Sequence, residues 1–249
     1  MTGRLLAKLI AAILALTAAI SVAMLQVDWT GVAASEEADL IDTLLDVMIV
    51  LSSFVFSVVL VMLGYCVWRF RARPGDERDG EPILGNTPLE VAWTAIPTLI
   101  ILFAIGYSWI VLDSLEEREP DRLRVTVTAR QFTWTFEYPG TGLNSSVLHV
   151  PVGRQVEFRL RTLDVIHGFW VPEWRIKRDA VVQPGAPGQD AVDDTVVVTP
   201  DHEGRYTVVC AELCGVGHAT MRNPVVVESE REFERWLERQ ETRPRAAPA

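Results

Sequence analysis

Long apolar runs fill the first half of the chain, and short alternating runs fill the second. Residues 9–27, 44–68 and 89–112 are each long enough to cross a bilayer as a helix. Asp46 is the one charge in the second run, and Pro97 interrupts the third. Such a proline is tolerated where neighbouring helices satisfy the freed carbonyl. Arg69, Arg71, Arg73 and Arg78 lie between the second and third runs. A basic loop of this kind stays on the cytoplasmic side. Residues 40–113 are therefore expected to form a transmembrane helical hairpin, with everything after Asp113 outside. The first run follows Arg4 and Lys8 and has two readings. It is either a signal peptide, with the small residues Val32 and Ala34 before Ser35 suiting cleavage, or an additional transmembrane helix. Residues 1–34 form that segment in both cases, and both give the same final topology.

From Leu123 the period changes to two. Residues 123–128 alternate as a half-buried strand, and 132–138 alternate aromatic with polar or small side chains. Further strands are expected at 147–150, 155–162, 165–171, 195–199, 205–210 and 224–228. Turn signals separate them, among them Pro139-Gly140, Pro184-Gly185 and Glu203-Gly204. Many short strands punctuated in this way argue for a β-sandwich or small barrel over residues 120–229. Ser229 to Glu232 reads as a capping box, and Phe233, Trp236 and Leu237 give one apolar face to a helix over 230–241. Residues 242–249 read as a disordered tail.

The formal net charge of −10 argues against a nucleic-acid partner and suits a basic one. Part of that charge sits in a long loop at 180–194, with Asp190, Asp193 and Asp194. Three cysteines make no disulfide framework. Cys66 lies in an apolar run and reads as a packing residue.

The chemistry concentrates in Cys210-Ala-Glu-Leu-Cys214-Gly-Val-Gly-His218-Ala-Thr-Met221. Two thiols, an imidazole and a thioether are the soft ligand set of copper. A Cys210–Cys214 disulfide is open to an extracytoplasmic domain, but it leaves His218 and Met221 unused. Zinc has no role for the methionine and carries no electrons. Two thiolates bridging two copper ions use every residue, provided a second imidazole is supplied. His149 lies in a strand and His202 in a charged turn. His167 lies among apolar and aromatic residues, beside Gly168, which lets another element approach. His167 is the expected ligand.

These residues resemble subunit II of the haem-copper cytochrome c oxidases. The loop matches the binuclear copper (CuA) motif C-x-E-x-C-G-x-x-H-x-x-M, and 164–172 matches the segment with the first histidine. Residues 90–97 resemble the opening of the family's second helix, and 131–139 its aromatic segment. The resemblance implies a membrane-anchored all-β protein, a transmembrane hairpin followed by a cupredoxin-like Greek-key β-barrel. It implies Cys210 and Cys214 as bridges, His167 and His218 as terminal ligands, and Met221 and the Glu212 carbonyl as weak ligands. The Glu212 side chain would reach a magnesium ion at the boundary with subunit I. Glu90 falls where the family has a carboxylate at the mouth of a proton channel.

One departure matters. The family has tryptophan where this chain has Phe132, and that indole receives the electron from cytochrome c. Trp134, two residues on in an extended strand, is expected on the same face. The implied function is respiratory: electrons pass from cytochrome c or a similar donor, through copper, to haem in subunit I. There oxygen is reduced and protons are pumped. The chain would sit with other oxidase subunits in the cell membrane, multi-pass, its copper domain extracytoplasmic. A copper-free quinol oxidase subunit, a copper module outside an oxidase, and a disulfide-closed structural domain are the alternatives. No haem attachment motif is present in the sequence.

Overall fold

The computed structural model describes residues 3–181 and 194–241, apart from 73, 76–79, 81 and 83. The chain divides into two compact units, Met1–Trp29 with Thr43–Leu112, and Thr30–Asp42 with Asp113–Ala249. The tail at 242–249 and most of the acidic loop at 180–194 lie outside the described residues.

The first unit is helical. Helices α1 (Gly3–Leu25), α2 (Glu36–Phe70) and α3 (Thr87–Leu115) are all long and apolar enough to cross a membrane. At 1.5 Å per residue, α2 is about 50 Å long, well beyond a hydrocarbon core of about 30 Å. Its acidic first turns, with Glu36, Glu37 and Asp39, belong to the second unit. Within α2, the Ser53 hydroxyl donates to the Ile49 carbonyl and that of Ser57 to the Ser53 carbonyl, both at 2.7 Å. Back-bonding of this kind satisfies a hydroxyl in apolar surroundings.

The second unit is a β-sandwich of cupredoxin type. Its strands are β1 (Leu123–Arg130), β2 (Thr133–Tyr138), β3 (Leu143–Ser145), β4 (Leu148–Pro151), β5 (Val156–Thr162), β6 (His167–Val171), β7 (Ile176–Ala180), β8 (Asp194–Val198), β9 (Gly204–Cys210) and β10 (Arg222–Glu228). One sheet has the order β3-β2-β1-β5-β8 and the other β4-β10-β9-β6-β7. The β1–β5 and β10–β4 pairs are parallel, and the other pairs are antiparallel. Alternation works as the sequence expects: Val125, Val127 and Ala129 of β1 and Trp134, Phe136 and Tyr138 of β2 all point inward and are buried. Two strands, β3 and β7, carry no alternating apolar signal of their own and were not expected.

The chain between α1 and α2 is part of this sandwich. Ser35 bridges Pro200, and the Ala34 amide donates to the Glu173 carbonyl at 2.8 Å. Glu37 accepts the Thr199 amide with both carboxylate oxygens, at 2.9 and 3.0 Å. Arg175, itself at φ 58°, clamps the segment. Its guanidinium reaches both oxygens of Asp42 and the carbonyls of Gly31 and Val32. The expected cleavage point before Ser35 thus falls on a residue pair, Ala34 and Ser35, that is completely buried.

Helix α4 (Glu230–Glu241) docks through Phe233 and Trp236, as its apolar face predicts. Trp236 meets Tyr138 edge-on at 5.1 Å and stacks on His149 at 4.1 Å. At the helix start, the Ser229 hydroxyl donates to Glu232 at 2.8 Å.

Candidate metal centre

The 210–221 loop connects β9 to β10, which are antiparallel neighbours. Its base is closed by the Cys210 amide, which donates to the Met221 carbonyl at 3.1 Å. A 3₁₀ turn at His218–Thr220 brings His218 back over the loop. His167 begins β6, whose Phe169 pairs with Cys210. The Ala211 amide donates to the Gly168 carbonyl at 2.8 Å. A Cβ at Gly168 would sit 3.0 Å from the Glu212 amide nitrogen. The glycine is therefore what permits the approach that the sequence suggests.

The donor atoms converge. Cys210 Sγ and Cys214 Sγ lie 3.8 Å apart, as two free thiols rather than a disulfide. Cys210 Sγ is 3.7 Å from His167 Nδ1 and 3.2 Å from the Glu212 carbonyl oxygen. Cys214 Sγ is 3.7 Å from both His218 Nδ1 and Met221 Sδ. His167 and Met221 are completely buried, and both cysteines nearly so. Among the described residues, His167, Cys210 and Cys214 form the one group of acidic, cysteine or histidine side chains placed to hold a metal ion.

The donor set fits a soft cation pair: two thiols at the centre, with an imidazole and a weaker donor beside each. Burial, together with the neighbouring Cys210 thiol, pushes the Cys214 thiol up to about 11. At neutral pH such a thiol keeps its proton, and positive charge beside it, as a bound metal supplies, favours the thiolate.

Behind these donor atoms lies a polar frame. Asp164 Oδ1 lies 2.8 Å from His167 Nε2. A carboxylate only accepts, so the proton sits on Nε2 and the Nδ1 lone pair faces Cys210. Asp164 Oδ2 accepts the Gln131 amide at 2.7 Å. Burial pushes Asp164 up, but hydrogen bonds from Gln131, His167 and Val165 outweigh it and hold the carboxyl at about 2. The Gln131 side-chain amide donates to the Cys214 carbonyl. Asn223, buried between the sheets, accepts the Trp134 amide and donates to the Trp134 and Ser146 carbonyls. The sequence shows these residue types but not their work. Asp164 three positions before His167 is the one local signal of it.

The two aromatic residues part company. Phe132 precedes β2, and its ring lies on the metal loop: a Cβ at Gly217 would sit 2.5 Å from Phe132 Cδ2. Trp134 lies deeper. It is completely buried, edge-on to His167 at 6.0 Å and to Phe169 at 5.6 Å. Phe132 is half-buried and packs against the same core, so the two rings differ in depth. Trp134 therefore offers no surface to an electron donor.

Glu90 belongs to the helical unit. Its carboxylate accepts the Asn86 amide at 2.9 Å, while Asn86 Oδ1 accepts the Leu89 amide at 3.2 Å. This reciprocal cap starts α3.

Two family profiles match this chain. The profile of "Cytochrome C oxidase subunit II, transmembrane domain" matches residues 12–111. That of "Cytochrome C oxidase subunit II, periplasmic domain" matches residues 142–230. Cytochrome c oxidase subunit 2 of Thermostichus vulcanus is 34% identical over 82% of this chain and 76% of its own length. The alternative cytochrome c oxidase subunit 2 of Bradyrhizobium diazoefficiens is 30% identical over 86% of this chain and 84% of its own. Among solved structures, the periplasmic domain of subunit II of cytochrome oxidase from Bradyrhizobium japonicum is 26% identical. It covers 49% of this chain and 95% of its own, with a TM-score of 0.43.

Proposed function

We propose a function from this premise: the chain belongs to the cytochrome c oxidase subunit II family. It is an oxidase subunit, a membrane protein carrying a cupredoxin-type domain. Its work is to accept electrons from cytochrome c or a similar donor and to pass them to haem in subunit I. Oxygen reduction and proton pumping follow in the assembled oxidase.

The single observation that carries this reading is the convergence of four further donor atoms on a thiol pair 3.8 Å apart. Two copper ions held there would supply a centre that takes up one electron and shares it. Cys210, Cys214, His167 and His218 would hold them, with Met221 and the Glu212 carbonyl as the weaker donors. The near-complete burial of the two thiols excludes water and keeps the surroundings rigid, so reorganisation on electron transfer stays small. Glu212 uses its backbone oxygen towards the thiols, which leaves its side chain for a magnesium ion at the subunit I boundary. Phe132 is the aromatic surface nearest the loop and receives the electron. Glu90, at the start of α3, is the proposed carboxylate for proton uptake. Its engagement with Asn86 is the competing structural role.

The membrane is the cell membrane, with three crossings and the domain on the extracytoplasmic side. Residues 30–42 and the sandwich form one unit, so both lie on the same side. Arg4, Lys8 and the arginines after α2 then fall together on the other, as the positive-inside rule requires. The burial of Ala34 and Ser35 favours retention of α1 as a membrane helix.

Metal analysis and EPR of the purified full-length chain test the reading. About two copper ions per chain, with one electron shared over both, are expected. Cys214→Ser should abolish the shared-electron signal. One copper, zinc, or an intact 210–214 disulfide overturns it.

A further inference from the structure

We propose that Asn223 is a positioning residue for the metal centre. Through the Trp134 peptide it sets the indole against His167, and it ties that support to the strand that follows Met221. The inference deepens the electron-accepting role proposed above and rests on it for the copper pair.

Strand β2 is partnered on one edge along only part of its length. In an antiparallel ladder, alternate residues turn their N–H and C=O groups away from the neighbour. Those of Trp134 turn away from β1 and meet no strand, because β3 pairs only with Phe136–Tyr138. Trp134 is completely buried, so backbone groups left unpaired there are costly. Asn223, on β10 of the opposite sheet, stands in for the missing strand. Its Oδ1 accepts the Trp134 amide at 3.2 Å, and its Nδ2 donates to the Trp134 carbonyl at 3.2 Å. The same Nδ2 donates to the Ser146 carbonyl at 2.8 Å. The Thr133 hydroxyl is a weaker donor to the Trp134 carbonyl, at 3.4 Å. One buried carboxamide thus joins the two sheets and the turn before β4.

Trp134 in turn stands behind His167. Its ring meets His167 edge-on at 6.0 Å and Phe169 at 5.6 Å, and Phe169 pairs with Cys210. The indole N–H has no hydrogen-bond partner among the described residues. The ring is therefore aimed by its backbone and by packing, and Asn223 holds that backbone. Asp164 fixes His167 at Nε2, but a single hydrogen bond leaves an imidazole free to tilt about it. The edge of Trp134 closes that freedom. At the other end of the clamp, Met221 lies two residues before Asn223, and its carbonyl accepts the Cys210 amide. His167 Nδ1 lies 3.7 Å from Cys210 Sγ, and Met221 Sδ lies 3.7 Å from Cys214 Sγ. Asn223 thereby links the donor beside one thiol to the donor beside the other. Partners of this kind tune a metal as well as hold it, and two copper ions share an electron evenly only while their surroundings match.

The test uses the full-length chain, metal-free and copper-loaded, with three variants. Asn223→Leu keeps a similar volume and removes all three hydrogen bonds. Trp134→Phe removes no side-chain hydrogen bond but takes away the indole edge. Trp236→Ala loosens the domain where α4 meets Tyr138 and His149, and controls for lost stability. Asn223→Leu and Trp134→Phe should each make the shared-electron EPR signal uneven and lower copper affinity about tenfold, measured by chelator competition. Because Asn223 acts through Trp134, the double variant should lose no more than the larger single loss. Trp236→Ala should melt lower with its spectrum unchanged. In the metal-free chain, the His167 ring protons should shift by NMR in Asn223→Leu, as the indole moves, and stay in place in Trp236→Ala. A lower melting point in Asn223→Leu with an unaltered spectrum and unmoved His167 protons would make Asn223 a structural residue only, and overturn the proposal. The same spectral change in Trp236→Ala, or fully additive losses in the double variant, would overturn it too. If Asn223→Leu does not fold, Trp134→Phe decides: an unaltered signal at unaltered affinity sinks the idea. An unsubstituted chain without the two-copper signal defeats the functional reading, and the metal-free NMR then judges Asn223 by itself.

Discussion

Asp164 holds His167 from behind: its Oδ1 lies 2.8 Å from Nε2, and the opposite ring nitrogen faces Cys210. The same carboxylate holds the Gln131 amide, so one side chain fixes both the terminal imidazole and the loop carrying Phe132. Outer partners of metal-bound histidines typically contribute 10–100-fold in affinity. Asp164→Ala should therefore weaken copper binding by about 10–100-fold, and Asp164→Asn by less, since its carbonyl still accepts from Nε2. Competition with a chelator, followed by the copper absorption bands, measures this. Equal affinity in all three proteins would contradict the anchoring role.

Gly217 is required by Phe132 rather than by its own backbone, which sits at φ −94°. Gly217→Ala places a methyl 2.5 Å from the Phe132 ring. The ring must move, at a cost of about 1–3 kcal/mol. Phe132→Ala in the same chain should recover most of the thermal stability lost. If the double variant is no more stable than Gly217→Ala alone, the clash lies elsewhere.

The outer face of the β1–β5 pair carries an acid-sensitive ion cluster. Burial pushes Glu157 up, but hydrogen bonds from Arg122 and Arg159 outweigh it and hold the carboxyl below the ordinary 4.5. A carboxyl lowered in the folded state stabilises above its ordinary value and loses that contribution as pH falls through the folded one. Glu157→Gln should therefore lower stability at pH 7 and reduce the further loss on acidification below about 4.5. Urea midpoints at neutral and acid pH compare the two proteins. Parallel acid limbs would rule the cluster out.

Arg175 joins residues 30–42 to the sandwich through Asp42, Gly31 and Val32. Its side chain is almost fully buried. Arg175→Ala should destabilise the domain by about 3 kcal/mol, since it leaves Asp42 without its partner. Arg175→Lys should recover little, because an ammonium lacks the planar fork. Limited proteolysis near residues 28–34 should speed up in both. An unchanged cleavage pattern would mean that the segment is held by Glu37 and Ser35 alone.

Helix α4 is attached by two aromatic residues, Phe233 and Trp236. Trp236→Ala should cost about 3–5 kcal/mol. It should also release His149, which stacks on the indole and is paired with Glu228 at 2.8 Å. The shift of the His149 ring protons by NMR reports that release directly.

The sequence by itself determined what is local. Runs of apolar residues fix three helices, because a helix in lipid needs only length and composition. Period two fixes most of the strands, because each inward residue declares its face. The 210–221 loop is legible for the same reason, since four of the side chains that could hold a metal lie within twelve residues. The tertiary structure decided what depends on pairing between distant segments. His167 reaches Cys210 because β6 lies beside β9, and no local pattern records strand order. Asp164, Gln131 and Asn223 acquire their partners in the same way. Trp134 shows the limit most clearly: its spacing from Phe132 says nothing of depth, and only the closed sheets bury it completely while Phe132 keeps part of its surface. Residues 30–42 carry no strand signal in the sequence, and it is Arg175 and Thr199, over 130 positions away, that hold them to the sandwich. Parity and ligand chemistry are written along the chain, whereas register and neighbours exist only once the sheets have closed.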